Sequence, residues 1–212
     1  MLIPREVLAI RKCASTEKSR YSMDGVFFER GKDGKAKACA TDGKALVACS
    51  WDDVALRGDF PDVGVDVKPV DGFAATVPVE ALDKALKNLP KKIKNSALAQ
   101  VALGEERVDG SPKIMLATSA TGATSDKVET MPTEGHFPPY EDVLPKGEAT
   151  LTVGFNVELL YEVARAVVEA GGGKGALVKL EFFGPMDACR VTANASNGVS
   201  VVGAVMPISL KQ

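Results

Sequence analysis

Apolar positions recur at helical spacing in three stretches, and each stretch is followed by runs of strand character. Leu82, Ala85, Leu86 and Leu89 fall at i, i+3, i+4 and i+7, which predicts a helix from Pro78 to Leu89 that Pro90 ends. Val157, Leu160, Tyr161, Ala164, Val167 and Val168 line one face of a predicted helix from about Val157 to Glu169, stopped by Gly171, Gly172 and Gly173. An earlier helix is expected from Pro4 to about Ala14. Strands are expected at Met1–Ile3, Gly25–Glu29, Ala36–Trp51, Phe73–Val77, Ala97–Leu103, Lys113–Thr118 and Ala123–Glu129. The last third adds Ala149–Phe155, Ala176–Phe183, Ala188–Ala193 and Val199–Met206.

The three predicted helices open with one phrase. It reads Ile3-Pro4-Arg5-Glu6-Val7-Leu8, then Val77-Pro78-Val79-Glu80-Ala81-Leu82, then Phe155-Asn156-Val157-Glu158-Leu159-Leu160, with copies 74 and 78 residues apart. Pro suits a helix start, Asn caps free amides, and a Glu in the first turn complements the positive end of the helix dipole. Either helix starts coincide by chance here, or one supersecondary unit of strand, helix and further strands is used three times. Because the strands run in consecutive hairpins rather than alternating with helices, the fold class is α+β with antiparallel sheet. Residues 57–72 read as a Gly-, Asp- and Pro-rich loop. Phe137-Pro138-Pro139-Tyr140-Glu141-Asp142-Val143-Leu144-Pro145 reads as a proline-stiffened inter-domain connector.

Composition changes this picture little. Of 212 residues, 45% are hydrophobic and 25% charged, which suits a soluble globular protein with a real core. A net charge of −2 excludes a wholesale polycation but leaves room for a local basic stripe. No signal peptide or membrane span is expected, and Cys13, Cys39, Cys49 and Cys189 lack metal-ligand spacing, so reduced thiols in a cytoplasm are expected.

No catalytic set emerges. His136 has no serine or cysteine placed to act with it, and a solvated loop histidine is the simpler account. The run Gly171-Gly172-Gly173-Lys174-Gly175 follows a helix instead of preceding one, so it is a helix stop and not a phosphate loop. Asp52 with Asp53, and Glu105 with Glu106, read as exposed turn charges. What stands out is cationic. Lys84 and Lys87 lie opposite the apolar stripe of the second helix with Lys91, Lys92 and Lys94 beyond it; the first helix carries Arg5, Arg11 and Lys12, with Lys18 and Arg20 after it. Such cations suit phosphate contacts, or they are the ordinary solvated charges of a helix. The third helix runs the other way, with Glu158, Glu162 and Glu169 against Arg165.

Ser22–Glu29 and Ala40-Thr41-Asp42-Gly43-Lys44-Ala45-Leu46-Val47-Ala48 resemble the middle domain of the bacterial DNA polymerase III β sliding clamp family. Gly135–Lys146 is similar to that family's linker into its last domain, and Val153–Val157 with Val205-Met206-Pro207-Ile208-Ser209-Leu210 to the second half of that domain. Taken in order, the likeness spans nearly the whole chain. The resemblance implies the DNA-clamp fold: three βαβββ units, with antiparallel sheets and helices on one face. It divides the chain into a clamp domain, 1–146, with units at about 1–72 and 73–146, and a half domain, 147–212.

By resemblance the protein is expected to be a non-enzymatic processivity factor without cofactors, encircling duplex DNA and tethering a polymerase or another replication protein. The expected phosphate contacts are Arg5, Arg11, Lys12, Lys84, Lys87, Lys91 and Lys92. In the family a pocket for partner peptides lies between the middle and last domains. Carried over, its wall is Met23, Thr41, Gly43, Leu46, Pro138, Val143, Val205, Met206, Pro207 and Leu210, with plain core packing the alternative for each. Lys44-Ala45 replaces the family's His-Arg after the glycine, and Lys211-Gln212 trails past the usual end. The full clamp's first domain and half of its last have no counterpart in the sequence. Clamp rings hold twelve units, so four such chains would close one, with third units pairing to complete each half domain. The rival expectation is a peptide-binding adaptor or decoy that does not encircle DNA.

Overall fold

The computed structural model describes residues 1–17, 21–53, 72–89, 99–119, 125–171, 177–193 and 199–209. It falls into two compact bodies, Met1–Leu144 and Pro145–Gln212.

In the first body, β1 (Leu2–Pro4) leads into a 3₁₀ helix, Val7–Cys13, and then β2 (Gly25–Arg30), β3 (Lys35–Thr41) and β4 (Leu46–Asp52). The pattern repeats as β5 (Ala74–Pro78), α1 (Val79–Asn88), β6 (Gln100–Val108), β7 (Ser111–Ser119) and β8 (Ser125–Thr130). Two four-stranded antiparallel sheets result, ordered β4-β3-β2-β5 and β1-β6-β7-β8. Each repeat therefore lends its leading strand to the other's sheet. Leu2 and Ile3 pair with Ala102 and Val101, while Val26 and Phe28 pair with Val77 and Ala75.

The exchange buries the apolar side of both sheets together with both helices. Side chains alternate across a strand, so Val26 and Phe28 point inward, both fully buried. Ala36, Ala38 and Ala40 share one buried face of β3, and their small side chains let the 3₁₀ helix lie close over β3 and β4. Leu8 and Leu82, equivalent positions in the repeated phrase, are both at 0% exposure. Burying a leucine this fully stabilises by about 1.5–3 kcal/mol. Arg30 and Asp53 form a buried ion pair at 2.9 Å, and the second Asp53 oxygen accepts the Leu2 amide at 3.1 Å. With Trp51 Nε1 donating to the Leu2 carbonyl at 2.9 Å, this corner ties the end of β4 to β1.

The second body holds α2 (Val157–Ala170) and a three-stranded sheet, β11-β10-β9, built from β9 (Val178–Glu181), β10 (Cys189–Ala193) and β11 (Val202–Val205). The Asn156 side chain caps α2, accepting from the Glu158 and Leu159 amides at 2.9 and 3.3 Å, as the sequence predicts. The helix packs on a small core of Val167, Cys189, Val191 and Val205. Gly203 permits this approach, because a Cβ there would meet Val163 Cγ1 at 2.6 Å and Val167 Cγ2 at 3.0 Å.

Four expectations need correction, and one is Asp53, expected as an exposed turn charge but buried in its ion pair with Arg30. The first helix is a 3₁₀ helix starting at Val7, because Pro4 is held in β1 opposite Gln100. The run 36–51 is two strands, since Asp42–Ala45 turns the chain back. The expected strand Ala149–Phe155 is not formed; only Gly154 makes an isolated bridge, to Ile208. The loop 57–71, Pro90, the starts of the strands expected at Ala97, Ala123 and Ala176, and the glycine run 172–175 lie outside the described residues.

Candidate functional site

The cations expected to meet DNA divide by what they touch. On α1, Ala81, Leu82 and Ala85 turn to the core, which leaves Lys84 and Lys87 facing solvent on the opposite side. Lys12 is likewise exposed, in the last turn of the neighbouring 3₁₀ helix. Arg5 is half-buried. Arg11 is engaged within the fold: its Nε donates to Asp83 on α1 at 2.6 Å and its Nη1 to the Leu8 carbonyl at 3.0 Å. Lys91 and Lys92 lie outside the described residues, as do Lys18, Arg20 and Lys94.

The residues expected to bind a peptide occur in both bodies. Met23, Thr41, Gly43, Leu46, Pro138 and Val143 belong to the first, and Val205, Met206 and Pro207 to the second; Leu210 lies outside the described residues. Thr41 works in the β3–β4 turn, its hydroxyl donating to the Ala45 carbonyl at 2.7 Å and accepting the Gly43 amide at 3.0 Å. Gly43 adopts φ +84°, a left-handed conformation that suits glycine. Asp42 completes the turn by accepting the Lys44 and Ala45 amides at 2.8 and 2.7 Å. Those amides, Ala45 first, hold its carboxyl below the usual carboxylate range. Val143 and Met206 are exposed at 72% and 67%, whereas Val205 is in the second core at 3%.

An aromatic cluster went unread in the sequence. The segment Phe137–Glu141 docks on the outer face of β2 and β3. Phe137 stacks on Phe27 at 5.0 Å between centroids, and Tyr140 meets both rings edge-on at 6.4 and 6.2 Å. The Tyr140 hydroxyl donates to Glu29 at 3.1 Å, and burial foremost, then that carboxylate, push its pKa up. Lys37 bonds Glu141 at 2.6 Å, which raises its pKa. These groups line a cavity of about 410 Å³ to which Pro138 also contributes. The period-two placement of Phe27 on the solvent side of its strand is the signal that could have revealed a docked partner. His136, just before the cluster, is exposed as expected, and its carbonyl accepts the Ser22 amide at 3.3 Å. Among the described residues no group of three or more His, Cys, Asp or Glu is arranged to hold a metal, and no helix is long and apolar enough to cross a membrane.

Two βαβββ repeats that exchange their leading strands, with their helices packed on the sheets, are the architecture of a sliding clamp, and solved structures match it. The β subunit of DNA polymerase III from Pseudomonas aeruginosa superposes with a TM-score of 0.71 at 19% identity, over 98% of this chain and 50% of that one. The β subunit from Streptococcus pyogenes gives 0.71 at 17% identity, over 99% and 50%. The Bacillus subtilis DNA polymerase sliding clamp gives 0.69 at 18%, over 98% and 48%. The chain has the sliding-clamp fold and spans about half the length of the clamps it matches. No family model matches the sequence, and no curated protein matches it.

Proposed function

We propose that this is a clamp-like processivity protein of the cytoplasm, without catalysis of its own, that holds duplex DNA and tethers a polymerase or another replication protein. The observation that carries the reading is the clamp fold over 98–99% of the chain, with Lys84 and Lys87 turned to solvent on its helix layer. Cations held loosely against phosphate give affinity without sequence preference, which is what permits sliding. Tethering then raises the partner's effective concentration on DNA beyond what a modest affinity supplies. Lys84, Lys87 and Lys12 are the main phosphate contacts, with Arg5, Lys91 and Lys92 beside them. In the first body Met23, Leu46, Pro138 and Val143 offer apolar contacts to a short peptide. The body Met1–Leu144 corresponds to a middle clamp domain and Pro145–Gln212 to half of a last one. Four chains supply the twelve units of a ring.

A second reading has one specific observation behind it. Helix α2 presents Glu158, Glu162 and Glu169, and Arg165 is paired to Glu169 at 2.7 Å, so this helix repels phosphate. A peptide-binding adaptor that does not encircle DNA accommodates that better.

Retention on duplex DNA across a salt series, beside binding of a fluorescent peptide with Leu and Phe anchors, separates the two. The double variant Lys84→Glu, Lys87→Glu is expected to weaken DNA retention and lower the salt slope by about 2, at roughly 0.9 per phosphate contact. Peptide binding is expected to be unchanged. Equal retention by variant and parent overturns the phosphate contacts; peptide binding without DNA retention by the parent selects the adaptor.

A further inference from the structure

In the first body every leading strand is traded: β1 pairs with β6 of the other repeat and β5 with β2. Each three-stranded unit sheet thereby gains a fourth strand on the edge of its first member, giving β4-β3-β2 plus β5 and β8-β7-β6 plus β1. The second body is one such unit with the trade unmade. Its sheet, β11-β10-β9, ends at β9, whose outer edge has no strand beside it among the described residues. Its leading segment, 149–155, forms no strand and makes one isolated bridge, Gly154 to Ile208, among the described residues. A spare strand and a spare edge thus sit on the same unit.

The helix tells the same story. Aligned by the repeated phrase, Ala81 of α1 corresponds to Leu159 of α2. Ala81 is 5% exposed, while Leu159 is 53% exposed. Leu8 and Leu82 are fully buried, whereas Leu160 at the equivalent place is only half-buried. Leu160, Val163 and Val167 pack on the sheet, but the adjoining apolar positions Val157 and Tyr161 stay open at 74% and 64%. Leu180, on the same side of β9 as Val178, which packs against the small core, is also exposed. An apolar helix stripe this wide is what α1 covers with the 3₁₀ helix of the other repeat.

We propose that the second body forms a twofold pair with the second body of another copy, in which each leading segment, near Leu151–Gly154, adds antiparallel to the outer edge of the partner copy's β9. The same operation lays the two α2 helices side by side over Val157, Leu159 and Tyr161. A second copy is the occupant that the topology selects, because it brings a spare strand and a spare edge at once and takes the same pair in return. Such an interface is self-complementary, as a closed twofold contact must be. Main-chain ladder bonds fix the register, and the apolar stripe supplies the burial. This deepens the oligomer assumed in the proposed function and rests on that reading only there, since nothing in it requires DNA.

The test uses the full chain at micromolar concentration, with mass by light scattering and amide hydrogen exchange read together. The parent is expected to be a dimer or a multiple of one, with Leu151–Val153 and Val178–Glu181 protected from exchange. Leu159→Glu leaves the monomer helical, since an acidic side chain suits the first turn, and is expected to weaken pairing roughly tenfold or more. Both segments should then lose protection while Leu82 and its neighbours in the first body keep theirs. A monomeric parent overturns the proposal, and so does an oligomer that survives Leu159→Glu with both segments unprotected. A pair that forms yet fails to retain duplex DNA sinks the processivity reading and leaves the strand exchange standing.

Discussion

Arg11 on the 3₁₀ helix reaches Asp83 on α1 at 2.6 Å, so a residue with the sequence credentials of a phosphate ligand instead clasps the two helices of the first body together. Its side chain is 21% exposed, and a second donor is spent on the Leu8 carbonyl. Arg11→Ala is expected to lower stability by about 1–2 kcal/mol, the worth of a half-buried pair with an added hydrogen bond. The salt slope of DNA retention should not move. Urea unfolding beside the retention assay checks both; a slope reduced as much as by Lys84→Glu with stability intact returns Arg11 to the DNA contacts.

The buried corner at Asp53 makes a larger effect. Removing this carboxylate takes away the acceptor that the Arg30 guanidinium and the Leu2 amide hold at 2.9 and 3.1 Å. Breaking a buried pair from one side costs about 3–5 kcal/mol. Asp53→Ala should shift the urea midpoint of the first body accordingly, and a loss below about 1 kcal/mol contradicts the account.

Thiol chemistry offers a probe of the first core. Cys39 is fully buried in β3, and burial first, then Cys49 and Glu29, push its pKa up to about 12. The thiolate is the reactive species, so alkylation of native protein near pH 8 should reach half-buried Cys13 well before Cys39. Denaturant should equalise them. Early loss of the Cys39 thiol, followed by mass spectrometry of peptides, refutes the packing of β3.

In the second body Glu181 accepts from Arg190 and Lys179, both at 2.7 Å. These contacts, Arg190 foremost, hold its carboxyl at about 2, against an ordinary value of 4.5. A depressed carboxyl contributes stability that is complete above the ordinary value and is lost as pH falls from there through about 2. Solvent screens an exposed pair, so the effect on unfolding is small and the titration itself is the better readout. In an NMR titration Arg190→Gln should raise the Glu181 midpoint toward the ordinary range. An unmoved midpoint removes Arg190 as the cause.

Local chemistry was legible where it is local. Asn156 announced a cap and makes one, and the stripe Leu82, Ala85 and Leu89 named the buried face of α1. The Asp42-Gly43 pair carried a hairpin signal that the continuous apolar run around it obscured, so two strands read as one. The first helix was legible as a helix but not as a 3₁₀ one, whose buried Leu8 and Ile10 lie two positions apart and do not follow an α-helix stripe. Periodicity tells which face a strand buries and nothing about whom it pairs with, so the trade of β1 for β5 could not be read from pattern. The expected strand 149–155 had the right pattern and failed for that reason: a strand needs a neighbour. At the candidate site, exposed Lys84 and Lys87 followed from the stripe opposite them, whereas the engagement of Arg11 by Asp83 depends on two helices meeting 72 positions apart.

The crossed pairing of β1 and β5 also governs how this protein can be made. Leu2 is synthesised about a hundred residues before its ladder partner Ala102, which it needs before it has anywhere to dock. Neither repeat is a self-sufficient folding unit, so the nascent chain carries β1 as an unmatched apolar strand until β6 is made. Pairings this distant are slow to close and exposed to misassembly. Chaperone demand during synthesis, and a single unfolding transition shared by both repeats, are the marks this architecture leaves.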